Sequence, residues 1–146
     1  MQIKALGHVV LRVRDLARAE DFYSGLLGMP VCGRYDENGF KMSFFTLGNH
    51  HDFAVLEVSG EGSTQAESAV GLYHVAFKIG DSLGELREAR DKLQAAGITP
   101  TAMDHEVTKS LYFDDPDGNG IELYIDASDV WRTEPGRVAS AVPMEL

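Results

Sequence analysis

Two histidines and one glutamate stand where a metal ion could be held. His8 and His74 each open a run of alternating residues, VVLRV after the first and VAFKI after the second, and Glu122 sits inside a third such run, Gly120–Asp126. Two neutral imidazoles and one carboxylate, brought together with room beside them, form a 2-His-1-carboxylate facial site. Such a site takes Fe(II), Mn(II), Ni(II) or Zn(II) and leaves coordination positions open for substrate. Taken singly, each residue has an ordinary alternative. A histidine at a strand start is more often a surface residue, and a glutamate between Ile121 and Leu123 is usually the solvent-facing member of an alternating strand.

Repetition changes those odds. Gly7–Asp15 (GHVVLRVRD) lines up with Tyr73–Asp81 (YHVAFKIGD), so both histidines occupy the same place in duplicated units. Each run is followed by residues at helical spacing: Leu16–Leu27, with Leu16, Ala19, Phe22, Tyr23 and Leu26, and Ser82–Ala96, with Leu83, Leu86, Ala89, Arg90 and Leu93. Asp15 and Asp81 or Ser82 are the expected N-caps, and Gly28 and Gly97 the expected stops. Three strand candidates follow each helix. They are Val31–Tyr35, Lys41–Leu47 and Asp52–Val58, then Ile98–His105, Lys109–Phe113 and Gly120–Asp126. Asn38-Gly39 is a hairpin signal, and Asp115–Gly120 (DPDGNG) a turn.

Each half therefore reads strand–helix–strand–strand–strand, so the chain is α+β with two βαβββ modules. Module one spans 5–59, a Gly/Ser-rich linker 60–70, module two 71–126, and an aperiodic tail 127–146. Val130 and Trp131 are candidates to dock the tail, and its last ten residues are expected to be mobile.

Strand parity decides which side chains share a face. Val9, Leu11 and Val13 point one way and His8, Val10 and Arg12 the other; Val75, Phe77 and Ile79 oppose His74, Ala76 and Lys78; Ile121, Leu123 and Ile125 oppose Glu122 and Tyr124. With the apolar sets turned to the helices, His8, His74 and Glu122 share the opposite face. Tyr112, flanked by Leu111 and Phe113, joins them. The same reasoning turns Ala54, Leu56 and Val58 to the helices and leaves His51, Phe53, Val55 and Glu57 on the polar side.

Bulk properties exclude several classes. Thirteen basic against 23 acidic residues give a formal charge of −10, which repels phosphate backbones and argues against nucleic acid as a partner. No apolar run approaches the roughly 18 residues of a membrane span, and the opening MQIKALGHVV does not read as a signal peptide. Cys32 is the only cysteine, so no intrachain disulfide can form; a reducing cytoplasm suits the chain, and a packed small side chain is the simpler reading of Cys32.

Three stretches, GHVVLRVRDLARAEDFYSGLLGM, LYHVAFKIGDSLGELREARDKLQAAGI and LYFDDPDGNGIELY, in this order over residues 5–126, resemble the vicinal-oxygen-chelate superfamily. That superfamily includes glyoxalase I, fosfomycin and bleomycin resistance proteins, methylmalonyl-CoA epimerase and extradiol dioxygenases. The resemblance implies that the two βαβββ modules form a cupped, mixed, mostly antiparallel sheet around one metal, held by His8, His74 and Glu122. Asn49-His50-His51-Asp52 is similar to the paired histidines of the extradiol enzymes. Asp104-His105, with Tyr112 ten residues before Glu122, resembles their second histidine and tyrosine.

That branch implies Fe(II), a small catechol-like substrate and dioxygen. His51 would move a proton or steady the oxygen intermediate, Tyr112 would bond the substrate hydroxyl, and His105 would contact substrate or relay protons. The best-known extradiol enzymes carry two such paired domains, whereas this chain has room for one. Two alternatives stay open. One is a glyoxalase-like isomerase or thiol transferase with Glu57 as a fourth ligand; the other is a metal-free protein that sequesters a drug-like or aromatic ligand. A homodimer is expected, because a single pair of modules leaves sheet edges to cover.

Overall fold

Asp15 ends one run and starts the next. Strand β1 (Val9–Val13) stops before it, and its carboxylate accepts the Arg18 N–H at 2.8 Å, capping helix α1 (Leu16–Glu20). This computed structural model describes residues 2–58 and 70–146; the expected linker segment Gly60–Ala69 lies outside the described residues. The chain divides into two compact units, Met1–Ala66 and Glu67–Leu146. No helix among the described residues is long and apolar enough to cross a membrane.

In the first unit α1 runs on into a π-helical turn, Asp21–Leu26, where sequence spacing predicts uninterrupted α-helix. The Leu27 N–H reaches back five residues to the Phe22 carbonyl at 2.9 Å, and the neighbours Phe22 and Tyr23 are both buried. Gly28, at φ 79°, ends the turn. Strands β2 (Val31–Glu37), β3 (Phe40–Phe45) and β4 (Phe53–Glu57) complete a sheet of order β1-β4-β3-β2, parallel only between β1 and β4. Asn38 and Gly39 join β2 to β3 at φ 54° and 79°, the left-handed pair that a two-residue hairpin needs.

The second unit repeats the plan. β5 (Val75–Gly80) leads into α2 (Leu83–Ala95), whose first turn is closed reciprocally: Glu85 N–H donates to Ser82 Oγ (3.3 Å) and Ser82 N–H to Glu85 Oε2 (3.0 Å). Strands β6 (Thr101–Asp104), β7 (Thr108–Asp114) and β8 (Gly120–Asp126) follow. β6 is shorter than the expected Ile98–His105 at both ends. The Ile98 N–H is bound back to Leu93 O (2.9 Å), Pro100 has no N–H to give a ladder, and Glu106 turns the chain at φ 66°.

Each sheet lays its apolar face against its own helix. Leu11, Val13, Phe45, Phe53 and Val55 are buried in the first unit, with the Tyr23 ring 4.7 Å from Phe53. In the second unit Leu111, Ile121, Leu123 and Ile125 are buried with Leu86 and Leu93 of α2.

Two expectations are corrected here. The parity assigned to β4 is inverted: in the parallel ladder Val9 pairs with Phe53, Leu11 with Val55 and Val13 with Glu57, and paired residues share a face. Phe53, Val55 and Glu57 therefore face the helix, and Ala54 and Leu56 the other side. The cause is that β4 is apolar on both faces, so alternation within it carries no sign; the aromatic pocket around Tyr23 selects Phe53.

The tail is also built into the second unit rather than loose. Val142–Pro143 forms β9 against β6, so that the second sheet runs β5-β8-β7-β6-β9, and the Met144 N–H donates to Ala102 O at 3.1 Å. Trp131, a candidate dock, is instead exposed, with the Arg132 guanidinium 4.6 Å from its ring centre.

Candidate metal centre

β8 starts hard against the entrance to β5. Val75 pairs with Ile121 and Ala76 with Glu122, so His74, Gly120 and Glu122 lie on one face. A Cβ at Gly120 would stand 2.4 Å from Tyr73 O and 3.2 Å from His74 Cβ, so this close approach of the two strands requires glycine. The result brings His74 Nε2 to 3.0 Å from Glu122 Oε2. The other carboxylate oxygen, Oε1, accepts the Ser110 hydroxyl at 2.6 Å, with Ser110 and Glu122 both buried. His74 Nδ1 is buried without a hydrogen-bond partner.

This pair fits a metal. Two donors about 2.1 Å from one ion at right angles stand about 3.0 Å apart, the separation seen here, and Ser110 fixes the carboxylate so that Oε2 is the oxygen presented. The sequence reading missed Ser110. The signal was available, because Ser110 has the same strand parity as Tyr112 and faces the same side.

Tyr112 is paired across the ladder with Glu122. Its ring meets that of His74 edge to face at 5.4 Å, and its hydroxyl lies 2.9 Å from His105 Nε2. Burial, then the Glu122 carboxylate, pushes the Tyr112 phenol up to about 12, so it is a proton donor at neutral pH. His74 and Tyr112 line an open cleft of about 530 Å³, shared with Tyr73, Thr99, Thr101 and Asp114.

In the first unit the structure brings His8 and His51 together, with ring centres 4.4 Å apart. His51 precedes β4 in a loop organised by Asp52, whose carboxylate accepts the N–H groups of Leu47 (2.6 Å) and Asn49 (3.3 Å). Phe44 meets the His51 ring edge to face at 5.4 Å. Desolvation, then the neighbouring His8 and His50, holds the His51 imidazole below its ordinary value, favouring the neutral ring. Glu57 is engaged elsewhere: Oε2 accepts the Leu16 N–H at the start of α1 (2.9 Å), and Oε1 lies 3.2 Å from Lys41 Nζ. A fourth-ligand role would require it to leave the helix face. Among the described residues no group of three or more His, Cys, Asp or Glu converges in metal-binding geometry. His74 and Glu122 are assembled within the second unit, and His8 and His51 within the first.

The fold is thus a duplicated βαβββ arrangement, each copy opening on a histidine and only the second adding a carboxylate beside it. Residues 5–123 match the model of the glyoxalase/bleomycin resistance protein/dioxygenase superfamily, and the chain belongs to that family. Among curated relatives it is 36% identical over 121 residues to biphenyl-2,3-diol 1,2-dioxygenase 2 of Rhodococcus globerulus, covering 82% of this chain and 61% of the relative. It is 32% identical over 121 residues to lactoylglutathione lyase of Neisseria meningitidis serogroup A, covering 80% of this chain and 86% of the lyase. The chain spans less than two thirds of the length of the dioxygenases it matches. The crystal structure of a glyoxylase/bleomycin resistance protein/dioxygenase domain from Frankia sp. EAN1pec shares the fold, with TM-score 0.74 and 24% identity over 86% of this chain and 99% of that one.

Proposed function

We propose that this chain is a metal-dependent enzyme of the extradiol-dioxygenase type, acting on a small catechol-like substrate, with one divalent metal held by His8, His74 and Glu122. Fe(II) is the favoured ion; Mn(II), Ni(II) and Zn(II) fit the same donors. The observation that carries the reading is the His74–Glu122 pair at 3.0 Å, with Tyr112 of the adjoining β7 coupled to His105 in the turn before it. A lone ligand pair would fit any metalloprotein of this family; the half-buried phenol bonded to an imidazole beside it is a proton path.

When bound, the metal supplies Lewis-acid and redox chemistry to the two adjacent oxygens of a substrate. Tyr112, held as a neutral phenol, accepts a hydrogen bond from a substrate hydroxyl on its phenolic oxygen and orients the ring, while its own O–H donates to His105 Nε2. His105 Nε2 accepts the Tyr112 proton, and His51 takes or returns a second proton. Ser110 keeps Glu122 Oε2 free, and Gly120 keeps His74 beside it. The reading also takes the molecule to be a cytoplasmic homodimer without nucleic-acid or membrane partners. Sedimentation equilibrium at micromolar concentration tests the dimer, and a single 16.0 kDa species would reject it.

A glyoxalase-like isomerase is the second reading, supported by the 32% identity to the lyase over 86% of that protein. The engagement of Glu57 with α1 weighs against its four-ligand form. Protein purified anaerobically without a metal-binding tag separates the two. Reconstituted with Fe(II) it should consume oxygen with a catechol panel, and with Zn(II) it should not. Oxygen-independent turnover of a thiol adduct or an α-keto aldehyde would decide for the isomerase. His8→Ala, His74→Ala and Glu122→Ala should each lose metal while staying folded; wild-type metal content in all three would reject the ligand set.

A further inference from the structure

The couple between Tyr112 and His105 continues into the C-terminal tail. His105 Nε2 lies 2.9 Å from the Tyr112 hydroxyl, and Nδ1 lies 2.8 Å from the carbonyl oxygen of Ser140. A carbonyl oxygen can only accept, so Nδ1 must carry a hydrogen. In the neutral ring Nε2 is then a bare lone pair and accepts from Tyr112. A neutral histidine in water favours the opposite tautomer, with hydrogen on Nε2, which would set two acceptors, the bare Nδ1 and the Ser140 carbonyl oxygen, against each other.

We infer that the C-terminal tail is a positioning element of this site: the Ser140 carbonyl fixes His105 in its Nδ1–H tautomer and so keeps Nε2 as the acceptor of the Tyr112 proton. A proton taken up at Nε2 leaves the Nδ1–H···O bond in place, so the ring changes charge without turning. The catalytic value of this arrangement rests on the function proposed above; the tautomer itself does not.

The tail is tied on both sides of Ser140. Upstream, Ala127 and Ser128 donate to Val107 O (2.8 and 3.2 Å), Arg137 reaches Glu106 at 3.1 Å, and the Ser140 N–H closes a turn on Arg137 O (3.1 Å). Downstream, β9 pairs Val142 with Asp104 and Pro143 with Met103, Met144 donates to Ala102 O, and Arg90 Nη1 bonds the Leu146 carbonyl. His105 is held in turn by its own N–H on Thr108 O (2.9 Å), beside the left-handed Glu106. Both ends of the Nδ1–H···O bond are thus set by backbone, and no side-chain choice at Ser140 is needed.

The test reads the tautomer directly. Full-length protein labelled with ¹⁵N-histidine gives two-bond ¹H–¹⁵N correlations whose pattern separates Nδ1–H from Nε2–H rings, and His105→Gln assigns the signal. The expected result is Nδ1–H for His105 in the full chain, retained in Tyr112→Phe because Ser140, not Tyr112, fixes it. Removing residues 138–146 should convert His105 to Nε2–H. Met144→Pro, which deletes one tail–β6 hydrogen bond in an otherwise complete chain, should shift the population the same way, with thermal melts checking that both proteins are folded. In the active enzyme, the truncation should lower kcat with metal content and KM unchanged. An Nε2–H ring in the full chain, or an Nδ1–H ring that survives both tail changes in folded protein, would overturn the inference. So would a tautomer that flips in Tyr112→Phe. Failure of the dioxygenase assay leaves the NMR outcome untouched, so the two readings fail separately.

Discussion

The two halves of the molecule share a plan and differ in where the last strand carries its glutamate. In the first, Val9 pairs with Phe53 and Val10 with Ala54; in the second, Val75 pairs with Ile121 and Ala76 with Glu122. Ala54 is thus the counterpart of Glu122. Further along, Val13 pairs with Glu57 where Gly80, after a bulge, pairs with Ile125, so the counterpart of Glu57 is an apolar core residue. Duplication copied the histidine and not the acid. A glutamate in the last strand of such a module is a donor beside the histidine or a cap for the helix according to parity alone.

That contrast can be broken most severely through β4. Phe53 is buried against Tyr23 on the helix face, and Phe53→Ala should cost about 3–5 kcal/mol in urea unfolding. Leu56→Ala, half-buried on the opposite face, should cost clearly less; equal costs would contradict the ladder register. Glu122→Gln comes next. It should empty the metal site and destabilise the metal-free protein by about 1–3 kcal/mol, because Ser110 and His74 lose their carboxylate partner. Metal analysis beside the unfolding midpoint checks both.

Ser110→Ala should leave the ligands in place yet weaken metal affinity by about 10–100-fold, since only the orientation of the carboxylate is lost. Competition with a chelator of known affinity measures this. Glu57→Gln is the mildest change and the sharpest contrast. Metal content should stay at the wild-type level, while stability falls by about 0.3–1 kcal/mol through the lost charge at the start of α1. The Leu16 N–H, then Lys41, holds the Glu57 carboxyl below its ordinary 4.5. Its contribution is therefore complete above that value and disappears as pH falls through the lowered one. The gap between wild type and Glu57→Gln should be full at neutral pH and close in acid; a gap that widens in acid would refute the cap.

Much of this was legible in the residues. The duplicated GHVVLRVRD and YHVAFKIGD runs placed both histidines, and Asp15, Ser82, Gly28 and Gly97 bounded the helices where their backbone preferences put them. Parity worked for β1, β5 and β8, where Arg12, Lys78 and Glu122 mark the polar face. It failed for β4, where FAVL is apolar throughout and only the partner strand and the Tyr23 pocket choose a face. His51 was placed beside His8 by a rule that does not reach it, since it lies before the strand, in a loop shaped by Asp52. Tail residues 127–146 carry no period, because what orders them is backbone pairing to β6 and carbonyl contacts, which leave no mark on side-chain pattern. Ser110 was legible and overlooked: a small hydroxyl on a strand face draws little notice until the carboxylate it serves is located.

The π-helical turn at Asp21–Leu26 bears on how this chain can change length. A π turn holds one residue more than the α turn it replaces, so it is where a helix has absorbed an insertion. Gly25 is exposed, and a Cβ there would meet nothing within 4 Å, so it supplies no packing. Deleting it would return the stretch to an ordinary helix with Phe22 and Tyr23 still seated, whereas removing a residue from β1 or β4 would flip every later side chain in that strand to the wrong face. Drift in the length of this half is therefore expected to collect at residues 21–26, and circular dichroism of a Gly25 deletion should show helix content kept or increased.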